Sequence, residues 1–421
     1  MSRWSREEAL SFLHGRGMFG IEPGVDAMRA LLAALDDPQL TFRKLHVVGT
    51  NGKSSTARFA AHLCARKGFR AGAFVSPHLT GFHERVLLPG IQGPRQAGED
   101  RFLAAVGSVA AAVEAIEGRN GGARTITQFE IVTAAAFLLM AEAGVEVGVV
   151  EAGMGGRLDA TNVLGSGVVA LTSISLDHCE WLGDSLEAIA GEKLAVVSPG
   201  DTLVVAPGLP EEADAAIAAA TNVSGRAAIT APEDPGAQIG MVASGGFQRR
   251  NLALAAAAVG ELVGPCSAEE IAAVAGSVTV PGRLQGLSER PDVFVDGAHN
   301  VEAIRQLARE IGAIAGGRPV VGVVGVLADK DVSGMLDAML GHIDQLVVTS
   351  PQGPRALAAG DLARVATDRG IPPAGCFDDP RAALRSAVGL AGPGGLVICT
   401  GSLGLVGELM SPPGERQVTG L

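Results

Sequence analysis

The chain has 421 residues, of which 47% are hydrophobic and 19% charged, and its formal net charge is −12. This length and composition favour two or three domains with sizeable cores and argue against wholesale disorder. Because no basic face is visible along the sequence, we expect no nucleic-acid partner, and cations for an anionic ligand must be concentrated in a pocket.

Short apolar runs alternate with helical patterns along the chain, and several runs are apolar on both faces, as parallel strands between two helical layers should be. Strands are predicted at 44–49, 70–75, 145–151, 167–173, 202–206, 292–296, 319–326, 345–349 and 394–399. Helices are predicted at 53–67, 100–117, 128–143, 184–197, 212–221, 248–263, 300–315, 332–340, 358–369, 379–391 and 402–411. This alternation predicts doubly wound α/β architecture.

A domain boundary is predicted near SVTVPGR at 277–283, because a new strand–helix series begins beyond it with DVFVDGAHN. The sequence thus predicts a larger domain over 1–280 and a smaller α/β domain over 281–421. The stretch 87–100 is predicted to be a mobile loop.

The cysteines and the apolar segments indicate the compartment. Five cysteines without a C-x-x-C pair argue against a disulfide framework and favour a reducing cytoplasm. The start, MSRWSREEALSFL, lacks a signal-peptide core, and the longest apolar stretch, 131–141, is too short to span a bilayer. We therefore expect a cytoplasmic monomer with no membrane partner.

The strand at 44–49 runs into GTNGKS, residues 49–54, just before a predicted helix. Glycines permit a sharp turn whose N–H groups converge on one anion, and the positive end of the helix faces the same point. Lys53 adds a full charge and a hydroxyl can reach Mg²⁺, as in a Walker-type loop, although two residues separate Gly49 from Gly52 where that pattern has four. The alternative is an ordinary Gly-rich turn. We prefer a nucleoside triphosphate site, which alone does not separate a kinase, a switch or a ligase.

Three further stretches place polar groups where predicted strands end, at the sheet edge expected to carry the phosphate loop. They are Ser76 in AFVSPHL, Glu151 in VGVVEAGMGG, and Asp177 with His178 in ALTSISLDH. Taken singly, each could be a turn, a helix cap or a surface pair. Phosphoryl transfer requires Mg²⁺ beside the β- and γ-phosphates, so their combination on several strand tips favours a metal site.

The motifs together resemble a known family. In chain order they are GTNGKSST, SPHLTGFHERV, TQFEIVTAAAF, EAGMGGRLDATN, SLDHCEWLG, GEKLAVV, PGRLQ and DGAHN. This set covers nearly the whole chain and is similar to the folylpolyglutamate synthases, whose bacterial members often also act as dihydrofolate synthases. The resemblance implies an N-terminal Mur-ligase-type P-loop ATPase domain that binds ATP and folate, and a smaller C-terminal Rossmann-like α/β domain that ligates glutamate. The short loop spacing is the Mur-type form.

The resemblance also implies roles for individual residues. Implied ATP contacts are Thr50, Asn51, Gly52, Lys53, Ser54, Asn251, Arg283 and Asp296. Implied magnesium ligands are Ser76, Glu151 and His178, with a second Mg²⁺ near His178 and a carbamylated Lys193. On physical grounds alone, Lys193 is better interpreted as a solvated helical lysine or a partner of Glu192. From spacing alone, the preferred interpretation of three implied nucleotide contacts is also structural. Asn251 would be an ordinary helical residue, Arg283 a surface residue after a turn, and Asp296 the end of a strand.

The pteroate end of the substrate is implied to meet residues of three motifs. These are Thr127, Gln128, Phe129, Glu130, Leu158, Asp159, Ala160 and the segment IEP at 21–23. Lys330 and Ser402 are candidate contacts for glutamate. The chain departs from the family pattern at Ser54, where many relatives have Gly, at Gln128, where an aromatic residue is common, and at Leu403, where Phe is frequent.

The implied reaction joins the α-amine of L-glutamate to the carboxylate of a dihydropteroate or a tetrahydrofolate through an acyl phosphate formed from ATP. Catalytic roles are implied for Lys53, His178, Lys193 and His299, the last as an orienting group. The alternatives are a cell-wall Mur ligase acting on a UDP-sugar peptide, a P-loop kinase or nucleotide switch, and a binding module that has lost its chemistry.

Overall fold

The structure is a computed structural model that describes residues 4–17, 24–119, 125–165, 167–236 and 238–412. Its strands are β1 (Arg43–Val48), β2 (Ala71–Phe74), β3 (Val86–Leu88), β4 (Arg95–Gln96), β5 (Val147–Glu151), β6 (Val168–Leu171), β7 (Thr202–Val205), β8 (Ile229–Thr230), β9 (Gln285–Glu289), β10 (Asp292–Val295), β11 (Val320–Val324), β12 (Gln345–Thr349), β13 (Gly375–Phe377) and β14 (Leu396–Thr400).

The α-helices are α1 (Arg6–His14), α2 (Asp26–Ala33), α3 (Lys53–Arg66), α4 (Glu99–Arg119), α5 (Gln128–Glu142), α6 (Cys179–Leu182), α7 (Leu186–Leu194), α8 (Asp214–Ser224), α9 (Gly246–Val263), α10 (Ala268–Ala275), α11 (Val301–Ala315), α12 (Val332–Met339), α13 (Ala359–Asp368), α14 (Pro380–Ala391) and α15 (Leu403–Met410). None of the helices described by the structure is long and apolar enough to cross a membrane.

The first sheet has eight strands in the order β4-β3-β2-β5-β1-β6-β7-β8. β3 pairs antiparallel with β2 and with β4 at one edge, and the other strand pairs are parallel. The strand order reverses at β1, because β5 pairs on one side of it and β6 on the other. In open α/β sheets, ligands bind beyond the carboxyl ends of the strands at such a reversal.

The register brings two predicted motifs to that edge. Glu151, the last residue of β5, lies opposite Val47 of β1, and the phosphate-loop candidate begins two residues later at Gly49. Ala170 of β6 lies opposite the same Val47. The residues that follow β1, β5 and β6 are therefore neighbours at the carboxyl end of the sheet.

The second sheet has six strands in the order β13-β12-β11-β14-β10-β9, with only β9 antiparallel. Alternating side chains enter cores on opposite faces of it: Val320 and Val324 of β11 join one core, while Val321 and Val323 join the other. Both faces are apolar because helices cover both, which is the basis of the both-face apolar runs in the sequence.

The prediction of a doubly wound α/β fold is confirmed, and every predicted strand and helix is present with small differences at the ends. Several short elements were not predicted: α1, α2, α6, α10, β3, β4, β8, β9 and β13. The prediction of a loop over 87–100 is wrong at Leu87, Leu88, Arg95 and Gln96. These residues form an antiparallel ladder on β2, and β4 gives no apolar signal because its two residues are exposed.

The described chain divides into two compact units. The first contains residues up to 78, 82–242 and 248–278, and the second contains 79–81, 243–247 and the chain from 279 onward. The phosphate-loop and magnesium candidates lie in the first unit, whereas the PGR and DGAHN motifs lie in the second.

Candidate active site

The turn after β1 is held in place by the segment that follows β6. The N–H of Thr50 donates to the carbonyl of Ser173 at 2.8 Å, and the N–H of Asn51 donates to the Ser173 hydroxyl at 2.8 Å. The Thr50 hydroxyl donates to the carbonyl of Ser175 at 3.2 Å and accepts from its N–H at 3.1 Å. The N–H groups of Thr50 and Asn51 thus already donate to protein acceptors. An anion must therefore bind mainly to the first turn of α3, whose N–H groups have no acceptor within the helix.

Glycine is required at two points of this loop. Gly49 has a φ of +143°, and a Cβ there would lie 2.0 Å from Oγ1 of Thr172. Gly52 has a φ of +87°, and a Cβ there would lie 2.5 Å from Oδ1 of Asn251. Asn251 is itself oriented by Gln248, whose Oε1 accepts from its Nδ2 at 3.2 Å. The structure thus brings the predicted nucleotide residue Asn251 against the phosphate loop.

The ammonium of Lys53 curls back over the loop at the start of α3. Its Nζ donates to the carbonyls of Gly49 and Thr50, both at 3.0 Å. These acceptors mark the point at which a phosphate oxygen would compete for the same charge. The geometry places a full positive charge where the helix N-terminus is also positive.

The carboxylate of Glu151 is 1% exposed and is hydrogen-bonded at both oxygens. Oε2 accepts the backbone N–H of Ser76 at 2.8 Å, and Oε1 accepts the hydroxyl of Ser54 at 2.9 Å. Two of the predicted magnesium ligands, Ser76 and Glu151, are therefore adjacent, and both lie at the N-terminal end of α3.

His178, the third predicted ligand, lies just before α6 with a φ of +52°. Its N–H donates to Oδ1 of Asp177 at 3.0 Å, and its Nε2 lies 3.9 Å from Oδ2 of the same carboxylate. The imidazole is 36% exposed whereas Asp177 is almost covered. The ring is thus accessible to a ligand and is accompanied by a negative charge.

The donor set fits Mg²⁺ bound together with phosphate oxygens. In the parts of the chain that the structure describes, no group of three or more His, Cys, Asp or Glu side chains is placed to hold a metal. Magnesium seldom uses an all-protein cage; it is usually held by one or two carboxylates, substrate phosphates and water. A single buried carboxylate and a hydroxyl beside a phosphate loop correspond to that pattern.

Lys193 is buried in α7, with 4% of its surface exposed. The pKa of Lys193 is lowered to about 7, first by burial and second by the nearby charge of Lys53, while Asp177 and Asp159 act in the opposite direction. The interpretation as a solvated lysine is therefore wrong, because the helix presents this residue to the interior. A substantial fraction of the amine is neutral, and hence nucleophilic, near neutral pH.

Asp159, a predicted substrate contact, is occupied by its own loop. Its Oδ2 accepts the N–H of Met154 at 2.8 Å, and its Oδ1 accepts the N–H of Thr161 at 2.9 Å and also the Thr161 hydroxyl. That hydroxyl lies 2.8 Å from Nε2 of the buried His46. Burial raises the pKa of Asp159. Its visible role is to shape the loop, which exposes 48% of Leu158 and buries Ala160.

The TQFE motif forms the start of α5. Thr127 and Glu130 make a reciprocal capping box, with bonds of 3.2 and 2.8 Å between each side chain and the backbone N–H of the other. The Gln128 amide donates to the carbonyl of Leu13 at 2.9 Å, and Phe129 packs against Phe74 with ring centroids 5.9 Å apart. These residues have structural partners, whatever they contact in a substrate complex. The IEP segment at 21–23 lies outside the described residues.

In the second unit, the DGAHN motif organises the turn between β10 and α11. Asp296 accepts the N–H groups of Leu284 and Ala298, each at 2.8 Å, and burial raises its pKa while Arg283 opposes the shift. Nδ1 of His299 lies 2.8 Å from the carbonyl of Gly297 and therefore carries a proton, since a carbonyl only accepts.

The candidate glutamate contacts are also engaged locally. The Ser402 hydroxyl caps α15 by accepting the N–H of Leu405 at 3.1 Å. The N–H of Lys330 closes a turn onto the carbonyl of Leu327 at 3.2 Å, just before α12. These two contacts are structural, and they do not test the predicted binding of glutamate by Ser402 and Lys330.

Sequence reasoning missed Ser173, Ser175 and Gln248, which hold the phosphate loop and Asn251. The hydroxyl-rich run TSIS at 172–175 was the only signal for the first two residues. Nothing in the sequence pointed to Gln248.

Comparison with known proteins identifies relatives over most of the chain. Residues 282–403 match the family described as Mur ligase, glutamate ligase domain. The chain is 34% identical to the dihydrofolate synthase/folylpolyglutamate synthase of Mycobacterium tuberculosis over 83% of this chain and 78% of that protein. It is 31% identical to the Bacillus subtilis enzyme of the same name over 96% and 98%.

Solved structures agree with the sequence relatives. Mycobacterium tuberculosis folylpolyglutamate synthase complexed with ADP has a TM-score of 0.88 and 29% identity, covering 98% of this chain and all of that one. A bifunctional folylpolyglutamate synthase/dihydrofolate synthase with Mn, AMPPNP and L-glutamate bound has a TM-score of 0.83 and 29% identity, covering 97% and 98%. The chain therefore belongs to the dihydrofolate synthase/folylpolyglutamate synthase family, the Mur-type ligases that use ATP to join L-glutamate to a folate.

Proposed function

We propose that this ligase accepts both dihydropteroate and reduced folates, and that it activates their carboxylate at the carboxyl edge of the first sheet. One observation carries the assignment of the site: Ser76 and Glu151 bond to each other and to Ser54, the residue after Lys53, at the start of α3. The loop that leads into this helix has two glycines that admit no side chain. The dual acceptor range is supported by the two activities in the names of the relatives.

The chemistry begins with a poor electrophile. A carboxylate oxygen of the acceptor attacks the γ-phosphorus of ATP, the new O–P bond forms, the bond from that phosphorus to the bridging oxygen breaks, and ADP leaves with the electron pair. The acyl phosphate that results gives the carbonyl a good leaving group. The amine of L-glutamate then attacks that carbon, the C–N bond forms, the C–O bond breaks, and inorganic phosphate leaves with the electron pair. The work of the protein is to position these groups and to offset their negative charge.

The residues at this edge divide that work. We assign the ATP phosphates to the first turn of α3 and to Lys53, which would exchange its contacts with Gly49 and Thr50 for phosphate oxygens. Asn251 would contact the nucleotide beside Gly52. Ser76, Glu151 and His178 would hold Mg²⁺, which when bound offsets charge on the β- and γ-phosphates. A second Mg²⁺ is proposed near His178 and Lys193.

Lys193 is proposed to carry a carbamate. Its neutral amine would attack CO₂, the new N–C bond would form, and one proton would be released. The product carries a carboxylate-like end in place of an ammonium group. Burial and the neighbouring Lys53 support this, because both make the neutral amine accessible near pH 7.

The remaining assignments follow the family motifs. We propose residues 1–280 as the ATP- and folate-binding domain and 281–421 as the glutamate-ligase domain, which the family match over 282–403 supports. Arg283 and Asp296 are proposed nucleotide contacts, and His299 is a proposed orienting group. Leu158 and Phe129 are proposed to line the pteroate site. The protein is proposed to act as a monomer in the cytoplasm.

Phosphate release from ATP is expected to require an acceptor and L-glutamate together. The measurement compares phosphate release with dihydropteroate and with tetrahydrofolate, each with and without glutamate, and identifies the glutamylated product by mass spectrometry. Lys53→Ala protein prepared in parallel corrects for contaminating ATPases. Equal phosphate release with either co-substrate omitted would favour a kinase or a nucleotide switch, and activity with only one acceptor would contradict the dual range.

A further inference from the structure

Ser54 makes a contact that its place in the phosphate loop does not require. Its hydroxyl lies 2.9 Å from Oε1 of Glu151 and 3.1 Å from the carbonyl of Ser76. The side chain is therefore directed towards the ends of β5 and β2. A glycine at this position could make neither contact.

The chemistry of the contact is directional. A serine hydroxyl has one hydrogen to donate, and both neighbouring atoms are acceptors. Oε2 of Glu151 is already occupied by the N–H of Ser76 at 2.8 Å. The stronger acceptor for the Ser54 hydrogen is the carboxylate, because hydrogen bonds to ionised groups are shorter and stronger than those to neutral carbonyls.

The result is a three-way connection between α3, the residues after β2, and the tip of β5. Without the hydroxyl, Oε1 of an almost fully buried carboxylate would lose one hydrogen bond that fixes its orientation. Groups that hydrogen-bond to a metal ligand fix its orientation and commonly change metal affinity or activity about 10- to 100-fold when removed.

We propose that Ser54 is a positioning residue for the metal site: its hydroxyl orients Glu151 and couples the phosphate-binding helix to the metal ligands. The inference rests on the metal role proposed above for Glu151. It differs from the role in phosphate binding that the family pattern implies, since the hydroxyl is directed at the carboxylate.

The test measures Mn²⁺ binding by electron paramagnetic resonance, with and without a nonhydrolysable ATP analogue, in the wild type and in Ser54→Ala, Ser54→Gly and Ser54→Thr. We expect Ser54→Ala and Ser54→Gly to weaken Mn²⁺ binding about tenfold and to raise the half-activating Mg²⁺ concentration by a similar factor. KM for ATP at saturating Mg²⁺ should remain near the wild-type value. Ser54→Thr, which keeps the hydroxyl, should restore metal binding.

Controls separate this inference from the proposed function. Ser108→Ala removes a hydroxyl that bonds to the carbonyl of Ala104 on the exposed side of α4 and should leave all readouts unchanged. Glu151→Gln should abolish Mn²⁺ binding; if it does not, the metal site itself is wrong. If Glu151→Gln abolishes binding but Ser54→Ala and Ser54→Gly leave it unchanged, the inference about Ser54 alone is overturned. A loss in Ser54→Ala as complete as in Glu151→Gln would also overturn it, because that result makes Ser54 a direct ligand.

Discussion

Lys53→Ala is expected to lower the rate of ATP-dependent glutamate ligation by about 10²- to 10³-fold, the range found when one preorganised donor to developing charge is removed. The reason is the position of Nζ, which lies 3.0 Å from the carbonyls of Gly49 and Thr50 at the mouth of the loop. No other lysine of α3 can replace it, because Lys53 is the one lysine within this helix and Lys67 follows its opposite end. The measurement is phosphate release and product formation under saturating co-substrates.

The matched control for this variant is Lys67→Ala. Lys67 follows the last residue of α3 and donates to the carbonyl of Pro265 at 2.6 Å, so its loss removes a lysine from the same helix without touching the loop. The Lys67→Ala protein should retain near wild-type activity, and thermal unfolding should show that both variants are folded. Activity retained by a folded Lys53→Ala protein would remove the basis of the phosphate-loop assignment.

Lys193→Ala is expected to lower the rate by about 10- to 100-fold, as for groups that support a metal site, and short carboxylates such as acetate should restore part of it. The residue is buried, so its removal leaves space in which a small carboxylate can take the place of the carbamate. Lys193→Arg fills that space with a permanent cation and should not be rescued. Lys44→Ala serves as the control and should keep its activity. It removes a partly buried lysine at the start of β1, the end of the strand that is far from the phosphate loop.

The same residue gives an expected pH dependence. Carbamate formation requires the neutral amine, and the pKa of Lys193 is lowered to about 7 by burial first and by Lys53 second. Below that pH the protonated form accumulates, so protein depleted of CO₂ should recover activity with bicarbonate more slowly below pH 7 than above it. A ¹³C signal of a carbamate after addition of labelled bicarbonate, absent in Lys193→Arg, would identify the group. Wild-type activity of Lys193→Ala in the absence of any added carboxylate would contradict the proposal.

Local patterns in the sequence were sufficient for the fold and for part of the site. The strand–glycine–lysine–helix order at 44–67 is read directly from neighbouring residues, because the turn and the helix N-terminus are built by the same short segment. The both-face apolar runs predicted buried parallel strands, and the second sheet has a core on each face. Those features depend on contacts near in sequence or on burial alone.

Other parts of the site could not be predicted because their contacts are distant in sequence. Ser173 meets Asn51 only because β6 lies beside β1. The order of strands in the sheet cannot be predicted from the residues around Asn51 or around Ser173. The direction of the Ser54 hydroxyl depends likewise on where β5 ends. The burial of Lys193 depends on which face of α7 meets the sheet, and a short helix with a weakly amphipathic sequence leaves that face undetermined.

Several motif residues that were predicted to contact a ligand have hydrogen-bond partners within the protein. Thr127 and Glu130 cap α5, and Asp159 and Asp296 accept backbone N–H groups at both carboxylate oxygens. A polar residue at a turn satisfies the backbone first, because a buried unpaired N–H is costly.

The most direct measurement is a crystal structure of the protein with a nonhydrolysable ATP analogue and Mn²⁺, with the metal located by its anomalous scattering. The convergence described above predicts that the terminal phosphoryl group lies against Lys53 and the first turn of α3, with Mn²⁺ bound to it beside Ser76 and Glu151. A terminal phosphoryl group bound away from Lys53, with Mn²⁺ at a different place on the chain, would contradict the proposed site.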